Sequence, residues 1–316
     1  MLDQETKGYQ LATSDPSDPY GTDQVDFNGH PPFEVLAPAD QRLPFVFNSP
    51  HSGCQYPQSF LEASRLNSHS IRRSEDAFVD SLFKHVVPLG SPLLRAHFPR
   101  AYLDVNREPY ELDPKMFEGR LPSYANIRSI RVAGGLGTVA RVVSEAQEIY
   151  HHRLPVSEAL FRIEGIYKPY HSTLRRLLAQ THVTFSHAIL IDCHSMPSTV
   201  KCQTTDQRPD FILGDRYGTS CAPELTEYAA SLLSGMGYSV NRNKPYAGGF
   251  ITEHYGRPAR GLHALQIEIN RGLYMDEVTH APHSGFNALA DDLARFARDL
   301  TSMPDASFIG DALAAE

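Results

Sequence analysis

The stretch Ala188-Ile-Leu-Ile-Asp-Cys-His-Ser-Met-Pro197 decides how this chain is read. Residues 188–191 are an apolar run with two isoleucines, short enough to be a buried strand. The run gives way to Asp192, Cys193, His194 and Ser195, and Pro197 blocks a simple continuation. An open α/β sheet places its site where a buried strand delivers such groups at its carboxyl end. For a lone histidine, a structural hydrogen bond at a strand end is the better reading. His194 is not alone, because His51 follows the run Phe45-Val-Phe47 and precedes Ser52-Gly53. Two strand-then-His-Ser elements in one chain suggest a metal site.

Composition bounds the function classes. The chain has 316 residues, 41% hydrophobic and 21% charged, which is ordinary for a globular protein of one large or two smaller α/β domains. No apolar run approaches a membrane-spanning length, and the N-terminus lacks the basic-then-apolar pattern of a signal peptide, so a cytoplasmic protein without a membrane partner is expected. The formal net charge of -8 argues against a nucleic-acid binder, which needs a basic face. The four cysteines (Cys54, Cys193, Cys202, Cys221) have no CxxC spacing, which argues against a disulfide framework or a thiolate zinc site. Nothing in the sequence sets the oligomeric state.

Residues 1–40 are rich in Asp, Gly and Pro, and through His30 six acids face only Lys7. They read as a flexible acidic arm before a single domain at 41–316. The expected elements are strands at 45–48, 93–96 and 188–192, a further strand or strand end over 100–107, and strands at 211–213 and 264–270. Helical spacing of Phe78, Val79, Leu82, Phe83 and Val86 predicts a helix over 74–87 capped by Ser74. A mostly helical stretch is expected over 142–180, interrupted at Pro155 and Pro169, with amphipathic helices at 222–236 and 285–302. Residues 108–136 read as a long functional loop. Strands alternating with helices indicate an α/β layered fold.

A catalytic zinc site typically has three protein ligands and one open position. His51 and His194 supply two, and Glu75 or Asp76 the third; spacing alone does not choose between the acids. By themselves those acids are accounted for by the macrodipole of the expected helix. The same ligand set also suits a facial triad for iron. On the strand 264–270, Gln266, Glu268 and Asn270 form a polar row opposite Leu265, Ile267 and Ile269. Glu268 is either a structural acid paired with Arg271 or a general base. Arg107, after Asn106, suits a bidentate clamp on a substrate carboxylate. The loop Gly248-Gly-Phe-Ile-Thr-Glu-His-Tyr-Gly256 is placed to cover the site, with Gly249, Thr252 and His254 as candidate substrate contacts.

From about Phe47 to Glu277 the chain resembles the N-formylglutamate amidohydrolase family. The resemblance rests on Ser-Pro-His-Ser-Gly (49–53), Ser-Glu-Asp-Ala-Phe-Val-Asp (74–80), Leu-Asp-Val-Asn-Arg (103–107), Lys-Pro-Tyr-His (168–171), Asp-Cys-His-Ser (192–195), Gly-Gly-Phe-Ile-Thr-Glu-His-Tyr-Gly-Arg-Pro (248–258), Gln-Ile-Glu-Ile (266–269) and Leu-Tyr-Met-Asp-Glu (273–277). It implies a three-layer α/β/α fold with a mixed central sheet, of the phosphorylase/hydrolase kind that zinc carboxypeptidases and aspartoacylases share. It also implies Zn²⁺ on His51, Asp76 and His194, Glu268 as base and Arg107 on a substrate carboxylate. The implied reaction is hydrolysis of an N-acyl amino acid, with N-formyl-L-glutamate giving formate and L-glutamate in histidine degradation. The alternatives are a deacylase or peptidase for another N-acyl amino acid or small peptide, and a non-catalytic binder of acidic amino acids. The chain departs from the carboxypeptidase pattern at Cys54, where an acid is expected three residues after the first histidine.

Overall fold

The computed structural model describes residues 25–201 and 208–304; residues 1–24, which hold most of the acidic arm, and Cys202 lie outside these. Seven strands form the main sheet: β1 (Phe33–Leu36), β2 (Phe45–Ser49), β3 (Leu93–Ala96), β4 (Ala188–Met196), β5 (Phe211–Gly214), β6 (Val240–Arg242) and β7 (Leu262–Asn270). Their order is β1-β3-β2-β4-β7-β5-β6. The sheet is mixed: β3, β2, β4 and β7 run parallel, β1 is antiparallel to β3, and β5 is antiparallel to β7. The principal helices are α1 (Lys168–Phe185), α2 (Pro223–Gly235), α3 (Phe250–Tyr255) and α4 (Gly285–Leu300).

Period-two alternation sorts the strand residues into two cores. Val46, Leu94, Leu190 and Ala264 pack with Tyr170, Leu174 and Leu178 of α1 on one face. Phe47, Ile191, Leu265, Ile267 and Leu213 pack on the other with Leu225 and Ala229 of α2 and Leu293 and Phe296 of α4. This is the expected α/β/α layering. Fully burying one such Leu, Ile or Phe contributes about 1.5–3 kcal/mol. A one-residue slip of β4 would therefore drive Asp192 and His194 into the apolar α2–α4 layer, and the register is fixed.

The α1 face does not stay apolar. Past Val46, Leu190 and Ala264 the same alternation brings up Asn48, then Asp192 and His194, then Gln266 and Glu268. Gln266 pairs across from Asp192 and Glu268 from His194. The carboxyl ends of β2, β4 and β7 thus carry a buried polar row on one side only.

Several elements differ from the sequence expectation. No helix spans 74–87. A 3₁₀ turn covers Ser70–Ser74, Glu75 is extended, and helical turns occupy Val79–Leu82 and Val86–Leu89. Phe78 breaks the run with a left-handed φ of 66°. The acids at 75 and 76 therefore stand in no helical first turn, and the macrodipole does not account for them. Residues 100–107 form turns, because Asp104 Oδ1 accepts from the backbone N–H of Asn106 at 2.9 Å, a local bond that competes with a strand ladder. The α-helix begins at Val156, after Pro155; the chain before it pairs Val142–Val143 with Gln147–Glu148 around a 3₁₀ turn at Ser144–Ala146. Pro169 does not interrupt the helix: it lies in the first turn of α1, behind a π segment at Ile163–Tyr167. The domain also starts earlier than residue 41, since Phe33 is buried and β1 forms the sheet edge.

Candidate active site

The polar row opens into a cavity of about 670 Å³ whose lining includes His51, Asn106, Arg107, His194, Gly249 and Glu268. His51 reaches it from the loop after β2, and the backbone N–H of Asp76 is tied to the His51 carbonyl at 2.9 Å. This bond brings the 75–78 segment under the end of β4. His194 Nδ1 lies 2.9 Å and His51 Nδ1 3.4 Å from Asp76 Oδ2. All three residues are buried, and one ligand atom from each falls within 4.8 Å of the others.

Burial disfavours charge on Asp76, but the hydrogen bond from His194 and the attraction of the His194 and His51 imidazoles outweigh it and hold the carboxyl well below its usual range. Arg271 Nη2 adds a bond to Asp76 Oδ1 at 3.0 Å. Glu75 points elsewhere: its carboxylate takes the Tyr56 hydroxyl at 2.6 Å and Arg72 Nε at 3.0 Å. Geometry thus groups Asp76, not Glu75, with the two imidazoles.

The donor set fits a divalent metal. His51 Nδ1 is buried without a hydrogen-bond partner and faces the Asp76 carboxylate, as a ligating lone pair would. Each imidazole turns its other nitrogen to a second carboxylate: His51 Nε2 is 2.8 Å from Asp104 Oδ1, and His194 Nε2 is 3.0 Å from Asp192 Oδ2. Such carboxylate–histidine pairs orient metal ligands and raise their basicity. The pairs are themselves braced. Asp104 is bonded by Arg100 Nε at 3.0 Å. Asp192 Oδ1 accepts from Asn48 Nδ2 at 2.8 Å, and Asn48 accepts from the Tyr170 hydroxyl at 2.6 Å.

Glu268 lies beside this group with Gln266 Nε2 donating to its Oε1 at 2.8 Å. Burial pushes its carboxyl up to about 7. The pairing of Glu268 with Arg271 raised by the sequence is not formed, because Arg271 bonds Ser195 Oγ, the Arg73 carbonyl and Asp76. Asn106 Oδ1 accepts from the backbone N–H of Ile251 at 2.8 Å, and its Nδ2 is 3.3 Å from His194 Nε2. Gly249 is required at this contact, since a Cβ there would stand 2.4 Å from Asn106 Nδ2.

The 248–256 segment is not an open loop; it winds into α3. Thr252 is buried under Gly248, outside the cavity lining. His254 is exposed and stacks on Phe250. Arg107 lines the cavity, with Nε on the Leu136 carbonyl, Nη1 on the Asn106 carbonyl and Nη2 3.5 Å from Asp104. The sequence reading missed Arg100, Arg131 and Arg216, which line the same cavity. It also missed Asp104 as a partner of His51; its one available signal was the carboxylate two residues ahead of Asn106.

Comparison with known proteins gives one family. A family model for N-formylglutamate amidohydrolase matches residues 43–275. N-formylglutamate deformylase of Pseudomonas putida is 31% identical over 247 residues, covering 77% of this chain and 86% of the relative. The protein of the same name from Pseudomonas aeruginosa is 30% identical over 270 residues, covering 84% and 94%. The crystal structure of N-formylglutamate amidohydrolase from Ralstonia eutropha JMP134 superimposes with a TM-score of 0.81 at 35% identity, covering 86% of this chain and 97% of that one. A gene product of Agrobacterium tumefaciens shares the fold, with a TM-score of 0.63 at 16% identity. With a family model over most of its folded residues and relatives aligned nearly end to end, the chain belongs to the N-formylglutamate amidohydrolase family.

Proposed function

We propose that this protein hydrolyses N-formyl-L-glutamate to formate and L-glutamate, with one divalent ion, Zn²⁺, held by His51, Asp76 and His194. The observation that carries the reading is the buried His–Asp–His group beside Glu268 at the floor of an arginine-lined cavity. Its kinship with proteins named N-formylglutamate deformylase and N-formylglutamate amidohydrolase supports the choice of substrate. By the same kinship it would serve histidine breakdown.

The ion, when bound, supplies Lewis-acid polarisation of the formyl carbonyl and activation of water at neutral pH. Glu268 accepts the proton of the attacking water on its carboxylate oxygen as the new C–O bond forms. It then delivers that proton to the amide nitrogen as the C–N bond breaks, so the amine leaves neutral. Gln266 fixes the Glu268 carboxylate through the bond to Oε1. Arg107 and Asn106 line the side of the cavity that would hold the substrate, where Arg107 contributes positive charge toward a carboxylate although its Nε and Nη1 are bonded to backbone carbonyls. Asp104 and Asp192 keep the two imidazoles oriented.

The test is release of formate and primary amine from N-formyl-L-glutamate, with metal content measured on the same sample. Chelation should abolish turnover and added Zn²⁺ should restore it. A metal-loaded protein that released no glutamate, or full turnover by a metal-free one, would overturn the reading.

A further inference from the structure

Arg107 is the clamp that the sequence nominates, yet it spends Nε and Nη1 on two backbone carbonyls and sets Nη2 against Asp104. Arg100 is engaged with Asp104, Arg271 with Asp76, and Arg216 with the Gly248 carbonyl and Glu253. Arg131 differs. It lines the cavity, is exposed, and its guanidinium makes no hydrogen bond or ion pair among the described residues.

Arg131 is nonetheless firmly placed. It lies in the single helical turn Ile130–Ala133, which Ser129 caps by accepting from the N–H of Val132 at 3.1 Å. The turn is closed by Leu136 N–H on the Arg131 carbonyl at 2.8 Å. The Leu136 carbonyl in turn accepts from Arg107 Nε at 2.9 Å. Two residues on, Thr138 is stitched to the 104–111 segment through its backbone bonds with Asp104 and Glu111. Arg107 thus anchors the turn that carries Arg131. Burial lowers Arg107 to about 10, and the positive charges of Arg100 and Arg131 add to that lowering. Two cations held near each other at the wall of one cavity match a ligand with two carboxylates.

We infer that Arg131 is the specificity-determining residue of this site, clamping the side-chain carboxylate of the amino-acid product while the Arg107 side of the cavity takes the α-carboxylate. The inference rests on the proposed reaction and deepens it. A guanidinium with all its N–H groups unspent can receive a carboxylate bidentately, and only an acidic side chain reaches it as an anion.

The experiment compares N-formyl-L-glutamate with N-formyl-L-glutamine, the neutral near-isostere, in the wild type, Arg131→Ala and Arg131→Lys. In Arg131→Ala, kcat/KM for the glutamate substrate should fall roughly 10²-fold, mostly through KM, the size of losing a charge-assisted pair. The glutamine substrate should lose far less, because its neutral amide oxygen accepts only a weaker bond, so the preference for acid over amide narrows sharply. Arg131→Lys should recover part of the loss, because the charge returns without the fork. An undiminished preference in Arg131→Ala, or an equal fall for both substrates, overturns the assignment. If the wild type cleaves neither substrate, the proposed reaction has failed, and binding of glutarate by calorimetry judges Arg131 separately. Weaker binding to Arg131→Ala by about tenfold or more keeps the assignment; equal affinity, or no binding to the wild type, ends it.

Discussion

Gly249→Ala is a one-methyl perturbation with a large expected effect. Gly249 has a φ of -88°, so alanine costs nothing in backbone conformation there. The whole cost is contact: the new methyl would stand 2.4 Å from Asn106 Nδ2 and 2.5 Å from Oδ1. Ordinary packing needs about 3.5 Å, so the Asn106 amide must retreat by about 1 Å. That retreat breaks the 2.8 Å bond from the backbone N–H of Ile251 and leaves this buried donor unpaired. The lost bond costs about 1–3 kcal/mol. An off-rotamer Asn106 adds about 0.5–1.5 kcal/mol, for a total of roughly 2–4 kcal/mol. Asn106→Ala also loses the bond but removes the obstacle, at about 1–3 kcal/mol. In the double variant the methyl meets no amide, and the cost should stay close to that of Asn106→Ala alone. The cycle should therefore show a coupling of about 2 kcal/mol relative to additivity. Urea unfolding of the four proteins measures it, with kcat/KM on N-formylglutamate as a parallel readout. Strict additivity, or wild-type stability in Gly249→Ala, would show that the close approach of Gly249 to Asn106 does not constrain the site.

Glu268→Gln keeps shape and hydrogen bonding to Gln266 but cannot accept a proton; kcat should fall by ~10²–10⁴ with metal content unchanged. Loss of metal with unchanged turnover per bound ion would make Glu268 a ligand or a structural residue instead. Asp192→Asn removes the carboxylate facing His194 and should weaken metal binding by about 10- to 100-fold in a chelator competition, with the fold retained; unaltered affinity would remove Asp192 from the metal-supporting set. His171 bridges the Val105 carbonyl and the Tyr255 hydroxyl, and burial lowers its pKa from 6.5 to about 4. The unfolded chain therefore binds a proton there between those values while the folded one does not. Its contribution is fully present above pH 6.5 and is lost as pH falls toward 4, by up to about 3 kcal/mol, a slope that urea titrations should show flattened in His171→Gln.

The sequence by itself determined what depends on local pattern. Apolar runs at 45–47, 188–191 and 264–269 are strands because alternation or full burial is written in the residues themselves, and the amphipathic helices at 223–235 and 285–300 follow from period. It also marked His51, His194 and Glu268 as out of place, since polar groups at the ends of buried strands demand partners. Only the tertiary structure decided who those partners are. The pattern at 74–87 is helical, yet Asp76 is drawn out by His51 from one strand end, His194 from another and Arg271 from a third, and no sequence window holds those contacts together. The same is true of the arginines. Spacing shows where they stand in the chain, but whether a guanidinium is spent on backbone carbonyls, as in Arg107, or left open to the cavity, as in Arg131, depends on what the folded chain brings within hydrogen-bond reach of it. Hydrophobic periodicity is a property of neighbours along the chain; hydrogen bonding and charge pairing at a site are properties of neighbours in space.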